Sequence, residues 1–275
     1  MVDDNPDWPS KAYQNDRFLY SNAARTLRIL SEYLEPHNRF ENMDVQDTVV
    51  FFGSSRIKPR EEAEKALEAA KADGGGGADI ETCERDLKMS RYYEDARELA
   101  RRLTEWSKGL EGTDRRFIVC SGGGPGIMEA ANRGASEVSG INAGLNISLP
   151  HEQNDNPYIT RELNFEFHYF FMRKFWFVYL AKAIIIFPGG FGTMDELMEV
   201  LTLMQTEKLS VPVPIVLYGT EFWSDVLNME ALVKHGTIEA KDLELFFETD
   251  SVDEAFDYIT KELTEIALGK PGGNL

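Results

Sequence analysis

Cysteine is scarce: the 275 residues hold two, Cys83 and Cys120. They are far apart and lack metal-ligand spacing, which argues against a disulfide framework and fits a reducing cytoplasm. Basic residues are outnumbered, 29 Lys and Arg against 47 Asp and Glu, for a formal net charge of −18. A surface that coats DNA or RNA needs a basic excess, so polymeric nucleic acid is not an expected partner. The acid reads as a solvating surface, and a mononucleotide pocket needs only one or two local cations. Long uncharged runs are missing too. The longest apolar region, 165–187, contains Glu166, His168, Arg173, Lys174 and Lys182, too much charge for a membrane span. The start, Met1 to Asn5, is acidic and shows no signal peptide.

Short buried runs alternating with helical patterns are what the chain does have. Thr48–Phe52, Phe117–Cys120, Gly144–Leu149, Ala183–Phe187 and Pro214–Tyr218 read as strands, and Leu243–Phe247 as a sixth or an edge segment. Residues 60–72, Tyr92 to Trp106, Ile127 to Val138, 221–234 and Ser251 to Ala267 read as helices, the last with Ser251 and Glu254 in a capping-box pattern. Asn164–Phe171 leads into a further helix that ends near Leu180. This alternation predicts an α/β fold, a doubly wound parallel sheet. One domain is expected over 48–268, preceded by an extension over 1–47 and followed by a loose tail over 269–275. The extension carries one helix, with Phe18, Leu19, Ala23, Leu27, Leu30 and Leu34 at helical spacing, packed on the body or on a partner. Gly74 to Gly77 follow no strand and read as a flexible insertion tip.

Three glycine turns follow strands. Gly53-Ser54 after the first suits either ligand contact or an ordinary βα turn. Gly122-Gly123-Gly124-Pro125-Gly126-Ile127 follows the second and departs from G-x-G-x-x-G, because Ile127 stands at the third glycine position. Pro188-Gly189-Gly190-Phe191-Gly192-Thr193 lies between a buried strand and a helix, a ready anion site of close backbone and unpaired N–H groups. No turn carries the G-K-[ST] of a triphosphate loop. Dinucleotide and ATP chemistry are disfavoured, which leaves a monophosphate. Glu196 has two readings. Thr193-Met194-Asp195-Glu196 is a T-x-x-E capping box, yet an acid beside a phosphate is electrostatically costly unless it does chemistry. The pair Arg173-Lys174 sits among Phe170, Phe171, Phe175, Trp176 and Phe177, where a guanidinium is partly desolvated and suited to an anion.

Pro188 to Glu196 matches the signature PGGxGTxxE, and the sequence here resembles the LONELY GUY family. Supporting pieces are Arg173-Lys174, the Ser121–Ala130 loop and the Phe52-Gly53-Ser54 turn, and the likeness covers roughly 48–265. Those enzymes, long labelled possible lysine decarboxylases, are cytokinin riboside 5′-monophosphate phosphoribohydrolases. The resemblance implies a Rossmann-like fold, a homodimer and cleavage of a nucleoside 5′-monophosphate to free base and ribose 5-phosphate. It implies a catalytic pair, Arg173 and Glu196. Nucleotide and phosphate contacts would come from Gly53, Ser54, Gly123, Gly124, Lys174, Gly189, Gly190, Phe191, Gly192, Thr193 and Thr202. The chain departs from compact members in its N-terminal helix, glycine insertion and aromatic approach to Arg173, and so resembles the larger bacterial group.

The decarboxylase label does not fit, because no lysine sits in a recognisable Schiff-base setting for pyridoxal phosphate. The expected reaction needs no cofactor and no metal. Glu196 would stabilise positive charge on the ribose or deprotonate the attacking water, while Arg173 would orient Glu196 or assist the leaving base. Two alternatives share the scaffold: a broad purine and pyrimidine nucleotide nucleosidase, and a non-catalytic nucleotide or cofactor carrier in which Glu196 merely caps.

Overall fold

The computed structural model describes residues 9–72, 76–110, 115–148 and 155–275. Seven parallel strands form one sheet in the order β4-β3-β2-β1-β5-β6-β7. These are β1 (Thr48–Phe52), β2 (Ile118–Ser121), β3 (Asn142–Ile147), β4 (Asn164–Phe167), β5 (Ala181–Ile186), β6 (Ile215–Tyr218) and β7 (Phe247–Thr249). The doubly wound Rossmann-like expectation holds. β1 shows why: all five of its residues are buried, as in a strand covered on both faces. Val50 and Phe52 enter one core cluster, while Val49 and Phe51 enter the other, because neighbouring side chains on a strand point to opposite faces.

The chain begins with α1 (Asp16–Leu19) and α2 (Arg25–Asn42). The single helix expected here is therefore broken, by a turn in which Ser21 Oγ donates to Phe18 O at 2.6 Å. α2 then runs past Pro36. α3 (Arg60–Ala72) is as expected, but α4 (Gly77–Lys108) starts well before Tyr92. Gly76 and Gly77 open that helix, which corrects the insertion-tip reading for those two residues. Gly74 and Gly75 lie outside the described residues.

After β2 come α5 (Ile127–Glu137) and, beyond β4, α6 (Phe170–Tyr179). The short β4 is a strand that the reading of 164–171 as one approach segment did not separate. α7 (Phe191–Gln205) follows β5, and the expected helix over 221–234 is two, α8 (Thr220–Val226) and α9 (Met229–Lys234). The expected strand at 243–247 is mostly a 3-10 turn over Ala240–Leu245, with β7 starting at Phe247. α10 (Val252–Glu262) closes the fold. Ser251 accepts from Glu254 N, but the Glu254 carboxylate is taken by Thr249 Oγ1, so only half of the expected capping box forms. The tail is not loose. Asn274 is fully buried, donating its N–H to Tyr179 O and accepting from the Lys182 ammonium.

β1 and β5 are adjacent, and the chain winds outward from them in both directions. That junction is a topological switch point, and its crevice opens beyond the carboxyl ends of the strands.

Candidate active site

The turns after β1, β2 and β5 meet at this crevice. Ser54 N donates to Pro188 O at 3.0 Å and Ile127 N to Ser54 O at 3.1 Å. Gly126 has φ +71°, and a Cβ there would stand 2.3 Å from Ser54 O, so only glycine lets the turns after β1 and β2 dock. Buried amides pin the rest of the second turn. Gly123 N donates to Ser121 Oγ at 3.0 Å, Asn156 N donates to Gly123 O at 2.9 Å, and the Asn156 amide reaches Asn132 Oδ1 at 3.0 Å. Asn132 and Asn156 were not legible as site residues, since nothing local marks an asparagine on a helix or in a polar loop as a brace.

The third turn leads straight into α7, whose N-cap is Gly190. The first intrahelical bond runs from Met194 N to Gly190 O. The N–H groups of Phe191, Gly192 and Thr193 precede it and carry the positive end of the helix dipole. Thr193 is buried over Gly189, where a Cβ would lie 2.1 Å from its Oγ1. This geometry bears on the capping reading of Glu196. Because the helix starts at Phe191, Thr193 is already in its first turn and Glu196 in its second. The T-x-x-E capping box does not form.

Glu196 is 7% exposed and lines a cavity of about 940 Å³ at the switch point. Burial pushes its carboxyl up to about 7; Lys174 and Arg173 pull it down, and Glu199 and Asp195 push it further up. Arg173 lies on α6 with Nε donating to Leu145 O at 2.7 Å and its guanidinium 5.1 Å from the Phe177 ring centre. Lys174 holds Asp195 Oδ2 at 2.8 Å and Glu199 Oε2 at 3.1 Å. Burial works against its charge, but these two carboxylates more than offset that and hold its pKa above the usual lysine value.

The cavity wall brings together Gly53, Ser54, Gly124, Arg173, Gly190, Phe191, Gly192, Thr193 and Glu196. Gly123, Gly189 and Lys174 stand behind it as braces. Thr202 is exposed further along α7, where its hydroxyl donates to Met198 O at 2.7 Å. The wall also includes Asn146, Asp155, Asn164 and Glu166, not expected there from sequence, and Phe170, one of the aromatics read beside Arg173. Asn146 donates to Asn164 Oδ1 at 2.7 Å, and Asn164 donates to Asp155, giving a polar wall whose Asn146 amide packs against Gly123. The Phe191 ring is 94% exposed at the rim. Among the described residues no group of histidine, cysteine and carboxylate side chains has the arrangement of a metal site.

Residues 128–259 match the family model described as possible lysine decarboxylase. This segment is similar to that family. It contains Arg173, Lys174 and the whole Pro188–Glu196 signature, so the LONELY GUY resemblance and the family match rest on the same residues. A pyrimidine/purine nucleotide 5′-monophosphate nucleosidase of Escherichia coli K12 is 31% identical over 133 residues, 42% of this chain and 27% of that protein. The protein of that name from E. coli O157:H7 gives the same figures. The chain thus spans about a quarter of the length of these curated relatives. Two solved structures are looser likenesses. The structural-genomics target TM1055 has a TM-score of 0.47 at 20% identity, covering 78% of this chain and 99% of that one. The molybdenum cofactor carrier protein of Chlamydomonas reinhardtii has 0.43 at 14%, covering 80% and 99%.

Proposed function

We propose that this chain hydrolyses the N-glycosidic bond of a nucleoside 5′-monophosphate, releasing free base and ribose 5-phosphate. The observation that carries the reading is Glu196. It is buried, past the capping positions of its helix, open to the cavity and held near pH 7. A structural acid has no reason to be placed so, whereas a catalytic one does. The matched family segment and the nucleosidase relatives support the same chemistry.

In this reading the 5′-phosphate sits on the N–H groups of Phe191, Gly192 and Thr193. Phosphate on the turn places the ribose toward Glu196. As the C1′–N bond lengthens, positive charge grows on the sugar ring, and ionised Glu196 stabilises it and takes a proton from the water that attacks C1′. The base leaves with the bonding electron pair and is protonated. Arg173 and Lys174 keep a useful fraction of Glu196 ionised, which is why two cations stand beside a buried acid. Gly53, Ser54 and Gly124 complete the nucleotide cradle. Lys174, Gly123 and Gly189 serve it indirectly.

The substrate class includes AMP and its N6-prenylated form. The name of the E. coli relatives extends the candidates to other purine and pyrimidine monophosphates. We take the working unit to be a cytoplasmic homodimer; none of the helices among the described residues is long and apolar enough to cross a membrane. Incubating the purified chain with AMP, prenylated AMP, GMP and CMP, with chromatographic detection of free base, tests the activity. Release from at least one is expected. Tight binding without release over hours would instead mark a carrier. Light scattering tests the dimer.

A further inference from the structure

The N-terminal helix has no part in the chemistry above, yet it is tied to the helix that carries Arg173. The Glu32 carboxylate on α2 accepts from two consecutive backbone N–H groups, His168 N to Oε1 at 2.9 Å and Tyr169 N to Oε2 at 3.2 Å. These two residues form the turn between β4 and α6, and Tyr169 is the N-cap of α6, whose own side chain makes no cap. Glu32 supplies from a distant helix the anion that a helix N-terminus favours.

A second tie comes from Pro36. An α-helix pairs each N–H with the carbonyl four residues earlier, and proline has no N–H to give. Pro36 therefore leaves Glu32 O without its helical donor, and the Trp176 indole N–H takes that place at 3.0 Å. Trp176 lies on α6, less than one turn beyond Arg173. The same face of α2 packs the Tyr33 ring 5.9 Å and the Phe40 ring 5.6 Å from the Trp176 ring. Arg39 donates to Glu162 O at 2.8 Å and to Asn164 O at 2.7 Å, where β4 begins. Both segments flanking the turn are thus held by α2.

Building on the nucleotide-hydrolase reading, we propose that Glu32 is a positioning residue for Arg173: α2 is a clamp that fixes the start of α6 and with it the guanidinium in the cavity. Arg173 lies one turn beyond the two clamped amides, and its backbone N–H donates to Tyr169 O at 3.2 Å. Releasing the turn lets the first turn of α6 shift, and a displacement of about 1 Å at a catalytic group costs as much as ~100-fold in rate.

The test uses the full chain as Glu32→Ala, Glu32→Gln, Arg173→Ala and the double variant Glu32→Ala/Arg173→Ala. Base release from AMP is read first. Glu32→Ala should lower kcat/KM at least about tenfold, and Glu32→Gln, which keeps one acceptor oxygen, should recover part of the loss. In the Arg173→Ala background Glu32→Ala should cost nothing further, since the group it positions is gone. Equal losses with and without Arg173 would overturn the proposal. Amide hydrogen exchange is the readout independent of turnover: Glu32→Ala should speed exchange across 168–174 and leave β6 unchanged. If exchange at 168–174 does not move, Glu32 is no clamp. Should the wild-type chain release no base from any nucleotide, the hydrolase reading fails separately. The exchange result then decides whether α2 fixes the Arg173 segment.

Discussion

Asp47 and Glu196 are buried carboxylates at opposite ends of the sheet's strands, and they are treated in opposite ways. Asp47, just before β1, is fully buried. It accepts from Phe117 N at 2.8 Å and from Arg116 Nε at 2.7 Å, while the remaining Arg116 nitrogens donate to Leu268 O and Ala267 O at 2.9 Å each. Burial pushes Asp47 up, and the Phe117 amide and Arg116 pull it part of the way back. Glu196, at the other end, faces a cavity, and its cations act on it from Arg173 and Lys174. The difference separates a structural acid from a candidate working one. Asp47 spends its oxygens on the protein, so none is left for a ligand. Glu196 keeps an open side, so a ligand can meet it.

The sharpest way to break this contrast is to neutralise each acid with its amide. Glu196→Gln should lower base release by roughly 10³-fold or more and leave the protein more stable at alkaline pH. The sign follows from the proton affinities: the folded carboxyl sits at about 7 against an ordinary 4.5, so the folded state binds the proton more tightly. That preference stabilises nothing extra below pH 4.5 relative to the amide. It turns into a growing cost between 4.5 and 7 and a full cost above, on the order of 3 kcal/mol at pH 8. Denaturation at pH 5 and pH 8 should therefore show a gain for Glu196→Gln chiefly at pH 8. Equal stability at both pH values would mean that Glu196 is not a strained acid.

Asp47→Ala should do the reverse. It leaves Arg116 buried without its counter-charge, a loss of about 3–5 kcal/mol, while the folded fraction keeps its turnover per active site. Urea melts, with activity normalised to folded protein, separate the two effects. A catalytic loss exceeding the loss of folded protein would abolish the distinction between the two ends of the sheet.

Much of this was legible beforehand, and the limits are physical. The apolar runs of β1 and β5 and the glycine turns announce the sheet and its candidate anion site, because those signals are local in sequence. Whether Glu196 caps its helix was not legible, since its T-x-x-E spacing is the same whether the helix starts at Thr193 or at Phe191. The chain's entry through Gly190 excludes the cap. Lys174 shows the same limit: a basic residue in an aromatic stretch looks like a phosphate ligand until α7 folds beside it with Asp195 and Glu199. The first half of α4 was missed because glycines and charges open it, and the 3-10 turn at Ala240–Leu245 because its leucines mimic strand alternation. The clamp on α6 needed Glu32 and His168 together, which sequence distance hides.

A smaller effect sharpens the Glu196 side. kcat/KM should rise with pH through an apparent pKa near 7, the value for the free enzyme. Removing the Lys174 ammonium takes away a charge that pulls Glu196 down, so Lys174→Met should move that limb upward by about one pH unit. A phosphate ligand would behave otherwise, raising KM while leaving the limb in place.

The smallest effect belongs to the structural end. Lys182, fully buried in β5, points its ammonium at Asn274 Oδ1, and the Asn274 amide in turn donates to Ala181 O. Burial holds the Lys182 pKa below its usual value, with Asp47 pulling it up and Arg116 and Lys270 pulling it down. Asn274→Ala removes the acceptor and leaves a buried donor unmatched, a cost of about 1–3 kcal/mol. The penalty has a direction in pH. A neutral amine is cheaper to bury than an ammonium, so the destabilisation should shrink as pH rises toward the ordinary lysine value, the opposite trend to wild-type Glu196, whose cost grows with pH. Melting both variants across pH 4 to 10 reads the two trends side by side. A penalty for Asn274→Ala that stays flat over that range would mean that the Asn274 side chain acts by anchoring the chain end at Ala181 O rather than by solvating a buried charge.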